Sequence, residues 1–260
     1  MIRSLFLDID GTLVSIKTHR IPASTADALR QAKARGVGIF ISTGRPLQII
    51  TNLGDIADLI DGYITTNGAL CLIGGETVCC NPIRTSDARA IITDAEANGT
   101  ACLAIGERDV VVINPDKAYE DTFVKGLNVT NLDLSVPLSR LEGQRILQFS
   151  PFITAAHEAT LMAGLEHCTS ARWHQAFCDI TSLDADKGKG LAAMAARLGL
   201  DISETMAFGD GANDIPIIRT AGVGVAMGNA GPDVKAAADY TTTPVDDDGI
   251  RNALVRYGVI

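Results

Sequence analysis

Short runs of uninterrupted apolar residues alternate with helix-like stretches over the first 70 positions. Leu5-Phe6-Leu7, positions 37–42 and Tyr63-Ile64-Thr65 show no polar alternation. Between the first two, positions 24–35 read as a helix, with Pro22 ahead of it, Ser24 or Thr25 as N-cap and Gly36 as its stop. Continuously apolar strands separated by helices predict a parallel sheet covered on both faces. Gly74-Gly75, between apolar stretches at 69–73 and 76–80, predicts a hairpin turn.

The middle of the chain has a different rhythm. A helix is predicted over 86–98, strands over 100–105 and 110–113, a strand over 145–149 and a helix over 154–164. Two further strands, 168–173 and 176–180, are joined by a short turn. Hairpins mixed with helices mark a separate α+β module. Strand–helix alternation returns after Lys187, with a helix over 190–198 and strands over 205–209 and 224–227. A helix is predicted after Asn213, and others over 233–238 and 248–257, with Asp246 to Asp248 as the N-cap region of the last. The simplest organisation is one α/β core split in two by an α+β insert of roughly 100 residues.

Composition narrows the function classes. Hydrophobic residues make up 47% of the 260 and charged residues 20%, a globular balance. Twenty-two basic against 31 acidic residues leave a formal charge of −9. That balance disfavours a general grip on nucleic acid or on an anionic membrane, while a local phosphate site stays open. No apolar run approaches the ~20 residues of a spanning helix, and Asp8 and Asp10 interrupt the start where a signal peptide would continue. A cytoplasmic protein is expected, with its six cysteines reduced. Cys79 and Cys80 are neighbours, the other four are scattered without a CxxC pair, and no structural zinc site is expected.

Four segments could carry chemistry. Asp8-Ile9-Asp10-Gly11-Thr12 follows the first strand, where alternation would bring both carboxylates to one spot at the ligand-binding end of a parallel sheet. A solvated Asp/Gly turn is the competing reading, whereas a calcium loop needs acids at one, three and five and glycine at six, a set this segment does not complete. Thr43-Gly44-Arg45 ends the second strand and offers a hydroxyl, close backbone N–H groups and a cation to an anion, or forms an ordinary strand-to-helix turn. Asp186-Lys187-Gly188-Lys189-Gly190 opens a helix, whose dipole disfavours lysine there unless it has a role. Gly209-Asp210-Gly211-Ala212-Asn213-Asp214 is a hard-oxygen constellation suited to Mg²⁺, or an Asx-rich loop. Each lies at a strand end or opens the helix after the insert, a coincidence if all four were inert.

In this order and spacing the motifs resemble those of the haloacid dehalogenase superfamily, in particular its Cof-type subclass IIB, whose relatives include sugar-phosphate phosphatases. The resemblance runs from Asp8 to a tail reading GVAMGNA, VKAAADY and DDDG. It implies a Rossmann-like three-layer α/β core with a mainly parallel sheet, residues 1–82 and 185–260, and an α+β cap over 83–184 that sets substrate specificity. It implies Mg²⁺-dependent hydrolysis of small phosphomonoesters, with Asp8 as nucleophile and Asp10 as general acid and base. Thr43, Gly44, Arg45, Lys187 and Asn213 would bind phosphate. Asp8, Asp10, Asp210 and Asp214 would form the metal site, Asp10 through its carbonyl and Asp214 from behind. Lys187 is favoured over Lys189 because the family lysine falls eight residues after an acid on a cap strand, here Asp179. Trp173 and His174, on a turn of the insert, could face a sugar but are read as packing. The implied partner is a small phosphorylated metabolite, for a monomer or weak homo-oligomer. Phosphatases of flavin or pyridoxal phosphate and phosphomutases are the alternatives. A phospho-accepting signalling module would leave the insert and Asp10 without a purpose.

Overall fold

A computed structural model describes residues 1–127 and 129–260. The chain opens with strand β1 (Ser4–Leu7), helix α1 (Ala23–Ala34) and strands β2 (Gly38–Ser42), β3 (Gly62–Thr65), β4 (Leu70–Ile73) and β5 (Glu76–Cys80). Gly74 and Gly75, at φ +55° and +85°, make the two-residue turn between β4 and β5. Then come α2 (Thr85–Asn98), β6 (Cys102–Gly106), β7 (Val110–Ile113), the single turn α3 (Lys117–Tyr119) continuing as π-helix to Gly126, β8 (Ile146–Pro151), α4 (Ala155–Met162), β9 (Cys168–His174) and β10 (Phe177–Ser182). The chain closes with α5 (Lys187–Leu198), β11 (Thr205–Gly209), α6 (Ile215–Thr220), β12 (Val223–Ala226), α7 (Pro232–Ala237), β13 (Tyr240–Thr241) and α8 (Gly249–Arg256).

These elements form two compact units: residues 1–45, 50–80 and 186–260, and residues 46–49 and 81–185. Among the described residues the first holds an eight-stranded sheet in the order β13-β12-β11-β1-β2-β3-β4-β5. β1, β2, β3, β11, β12 and β13 are parallel, and β4 and β5 add an antiparallel edge. Leu5, Leu7, Ile39 and Ile41 face α1 and α8 in one core, while Phe6, Phe40 and Ile64 face α5 and α6 in another. Helices on both sides explain why these strands lack polar alternation. β1 sits between β2, from the first pass of the chain, and β11, from the second. Its carboxyl end is therefore the switch point where open α/β sheets bind ligands.

Three local expectations change. α1 starts at Ala23, and the Pro22 carbonyl accepts the Thr25 and Ala26 N–H groups, so Ser24 and Thr25 lie inside the first turn and neither caps it. α5 begins three residues early because the Asp186 carboxylate caps it, accepting the Lys189 N–H at 2.8 Å. Asp248 precedes α8 at φ +61° without a side-chain capping bond, and Asp246 pairs with Lys17 at 3.0 Å.

Among the described residues the second unit holds a five-stranded antiparallel sheet in the order β7-β6-β8-β10-β9. Ala104, Phe149 and Ile180 pack with Ile91 and Ala95 of α2 and Leu161 of α4. Tyr119, Phe123, Phe152 and Phe177 form an aromatic cluster with ring centroids 5.3 to 6.0 Å apart. Trp173 meets Phe177 edge-on at 4.9 Å yet stays 58% exposed, and its indole Nε1–H donates to buried Asp179 at 2.8 Å. The other Asp179 oxygen accepts from the Ser150 hydroxyl at 2.6 Å.

Burial pushes the Asp179 carboxyl up to about 6, against the pull of the Ser150 and Trp173 hydrogen bonds. The native state thus holds this proton more tightly than the unfolded chain. Its contribution to stability is full below the ordinary value of 3.8 and is lost as pH rises through about 6. Asp179→Asn can keep both bonds, with its oxygen accepting from Trp173 and its amide donating to Ser150. The urea midpoint of the variant, followed by fluorescence of the single tryptophan, is expected to rise relative to the parent between pH 3.8 and about 6. A constant difference across that window overturns the assignment.

Candidate active site

The chain leaves β1 at Leu7, and Asp8 continues the sheet by donating its N–H to the Phe208 carbonyl at 3.1 Å. Its side chain turns into the interior beside Lys187, whose Nζ donates to Asp8 Oδ1 at 2.9 Å and to Asp214 Oδ1 at 2.5 Å. Lys187 is 1% exposed and Asp214 fully buried. Lys189, two residues on, is exposed.

Asp214 is fully engaged from both sides. Its Oδ2 accepts the N–H groups of Asp210 at 3.1 Å and Gly211 at 2.9 Å, which folds the loop after β11 back on itself. Asp210 is held in turn by the Thr12 hydroxyl at 3.0 Å and the Asn229 amide at 3.2 Å. Asn229 also reaches the Gly11 carbonyl at 2.9 Å and accepts the Val245 N–H at 3.0 Å, tying three segments together. Gly11 lies at φ +83°, and a Cβ there would stand 2.2 Å from Asp210 Oδ2, so only glycine fits.

Asp8, Asp210 and Asp214 each present a carboxylate oxygen within 4.8 Å of the others. Burial, then the charge of Asp214, push the Asp8 carboxyl well above its usual range despite Lys187. The same two causes push Asp210 up to about 6. Burial pulls the lysine down, but the charges of Asp214 and Asp8 outweigh it and hold Lys187 above the ordinary lysine value. Three carboxylates therefore face one ammonium. Hard oxygen donors with surplus negative charge are the donor set a divalent cation such as Mg²⁺ requires.

Asp10 does not join this cluster. Strand alternation stops at Leu7, and Asp10 lies in a turn where it bridges Val14 and Gly11 N–H bonds the Val14 carbonyl at 2.9 Å. Its carboxylate is half exposed and takes two bonds from Arg45, Nε at 2.7 Å and NH2 at 2.8 Å. The Asp8 and Asp10 carboxylates do not share one spot, the Asp10 charge adds only a minor push to the Asp8 carboxyl, and the Arg45 guanidinium is committed to Asp10.

Thr43 is buried at the end of β2, where its Oγ1 accepts the Arg45 N–H at 3.1 Å. Beside Gly44 lies Asn67, whose Oδ1 accepts from the exposed Asn213 amide at 3.0 Å. Thr66 and Asn67 sit at φ +49° and +54°, a conformation Asn tolerates and a β-branched residue rarely adopts. The next residue, Gly68, packs so closely on the Asp186 backbone that a Cβ would lie 2.3 Å from its carbonyl oxygen. The turn after β3 thus braces the start of α5 and the position of Lys187. Thr12, Asn67, Gly68 and Asn229 escape sequence reading as a group. Thr12 and Asn229 do stand inside strings already singled out, DGT and GNA.

The family of haloacid dehalogenase-like hydrolases matches residues 5–254. A solved structure of a haloacid dehalogenase subclass IIB sugar phosphatase, BT4131, is 43% identical, covering 99% of this chain and 100% of that one, with a TM-score of 0.90. A structure from work on a trigonal-bipyramidal intermediate in a phosphoryl-transfer superfamily is 42% identical, with full coverage of both chains and a TM-score of 0.92. YkrA of Bacillus subtilis (strain 168) is 30% identical over 258 residues, 98% of each chain. With its three-layer α/β unit, its separate antiparallel unit and its cluster of Asp8, Asp210, Asp214 and Lys187, the chain belongs to the haloacid dehalogenase-like hydrolase family.

Proposed function

We propose that this hydrolase is a Mg²⁺-dependent phosphatase of small phosphomonoesters, sugar phosphates foremost, working through Asp8. One observation carries the reading: a nearly buried Asp8 carboxylate held by Lys187 and set within 4.8 Å of two further carboxylates at the sheet switch point. The similarity to a sugar phosphatase supports the substrate class.

Asp8 attacks phosphorus, the bond to the leaving oxygen breaks, and an aspartyl-phosphate forms. Asp10 gives its proton to the departing alkoxide, then takes one from the water that cleaves the acyl-phosphate and frees Asp8. Arg45 orients Asp10 through its paired bonds, a role that replaces the phosphate contact expected of it. Lys187, Thr43, the Gly44 backbone and Asn213 hold the phosphoryl oxygens, with Asn67 fixing Asn213. Asp8, Asp210 and the Asp10 carbonyl would hold the cation, while Asp214 keeps Lys187 and the 210–211 backbone in place. The cation would supply charge neutralisation for the attack of a carboxylate on a phosphate dianion. The inserted residues 83–184 select the leaving group.

Among the described residues no helix is long and apolar enough to cross a membrane. A cytoplasmic monomer or weak homo-oligomer acting on a small metabolite, without nucleic acid, completes the proposal.

Asp8→Asn is expected to lower phosphate release by more than about a thousandfold while the protein still binds inorganic phosphate. Substantial residual turnover removes Asp8 from its role. EDTA is expected to silence the enzyme and added Mg²⁺ to restore it. Asn229→Ala, which frees Asp210, is expected to raise the Mg²⁺ needed for half-maximal rate by about 10- to 100-fold. A phosphate-release screen across sugar phosphates, flavin mononucleotide and pyridoxal phosphate tests the substrate class, and preference for either cofactor overturns it.

A further inference from the structure

Three of the six cysteines sit on the β4–β5 hairpin, away from the catalytic residues in sequence. The antiparallel register places Cys71 directly opposite Cys79, and Leu70 opposite Cys80. Opposed α-carbons in such a pair stand about 4.5 to 5.5 Å apart, inside the roughly 4.4 to 6.8 Å a disulfide spans. The pairing shifts immediately after Cys71, so this stretch of ladder is locally irregular and has room to adjust.

The sulfurs already interact. Their titrations are linked, the Cys71 thiol being pushed up by its interaction with Cys79 and by burial, and the Cys79 thiol being pulled down by its interaction with Cys71. Cys71 is fully buried, and Cys79 is half-buried and open to small reagents. On its far side Cys71 meets α5, where a Cβ on Gly190 would lie 3.0 Å from the Cys71 sulfur. The helix backbone therefore limits how far that sulfur can swing from Cys79.

We propose that Cys71 and Cys79 form a cross-strand dithiol site that a hydroperoxide oxidises to a disulfide. Cys79 attacks as thiolate, the peroxide O–O bond breaks, and Cys79 becomes a sulfenic acid as an alcohol or water leaves. The Cys71 thiol then attacks that sulfur, the S–S bond forms, and its proton departs with the hydroxyl as water. The two thiols lose two electrons and the peroxide gains two. A small dithiol reverses the change.

The environments of the cysteines set this pair apart. Hydrogen bonding from Cys71 holds the Cys79 thiol below its ordinary value, which favours the reactive thiolate. Burial pushes Cys168 and Cys178 up to about 12 and raises Cys102 as well, leaving them poor nucleophiles.

The test treats the intact chain with hydrogen peroxide, alkylates the remaining thiols, cleaves after Glu76 and maps linkages by mass spectrometry. That cut separates Cys71 from Cys79 and Cys80. The expected product is a Cys71–Cys79 link that dithiothreitol removes. Cys79→Ser is expected to slow thiol loss about tenfold, Cys80→Ser to leave the link intact, and Cys71→Ala to leave a sulfenic acid at Cys79 that dimedone traps. A Cys79–Cys80 or Cys71–Cys80 bridge, or further oxidation of Cys79 with no link, overturns the proposal. The wild-type map decides even if a variant folds poorly.

Discussion

The buried ammonium of Lys187 is the constraint on which the site depends. An unpaired charge at 1% exposure would be prohibitively costly, and two carboxylates, Asp8 and Asp214, compensate it. Removing one member of such a buried set typically costs about 3 to 5 kcal/mol, because the remainder is left uncompensated. The same arrangement that satisfies the lysine leaves a surplus of negative charge once Asp210 is counted. Stability and cation binding thus draw on one set of residues.

Around this core the protein spends its polar contacts on position. Asp214 uses one oxygen on Lys187 and the other on two backbone amides, so its own shape dictates where Asp210 begins. Thr12, after β1, and Asn229, after β12, then fix the Asp210 carboxylate from the carboxyl ends of the two strands that flank β11. The turn after β3 braces α5 through Gly68, a contact of backbone on backbone that no side chain could replace. Reactive groups held in this way need little reorganisation when charge moves between them.

How much of this was legible follows from what each feature depends on. The parallel sheet could be read from uninterrupted apolar runs, since burial on both faces leaves a local imprint at Leu5-Phe6-Leu7 and again at 37–42. The four motifs could be read because each is contiguous. The pairing of Asp10 with Arg45 could not, because it depends on where β1 stops and how the following turn bends, and alternation extrapolated past Leu7 pointed the wrong way. The cap of α1 was misplaced for a related reason, since a carbonyl cap from Pro22 has no side-chain signature. Asn229 is 218 residues from the Gly11 carbonyl it binds, and nothing near either position announces the other.

That separation in sequence has a consequence for how the molecule comes into being. Asp8 is 179 residues from the lysine that compensates it. A chain emerging from the ribosome completes β1 to β3 and the whole inserted unit before Lys187 exists. Until then the acidic end of β1 has no ammonium to close on, so the reaction centre is assembled late, by a contact whose loop-closure cost must already have been met. Nascent fragments would carry the attacking carboxylate without the environment that makes it reactive, and would remain chemically silent until the final third of the chain had docked.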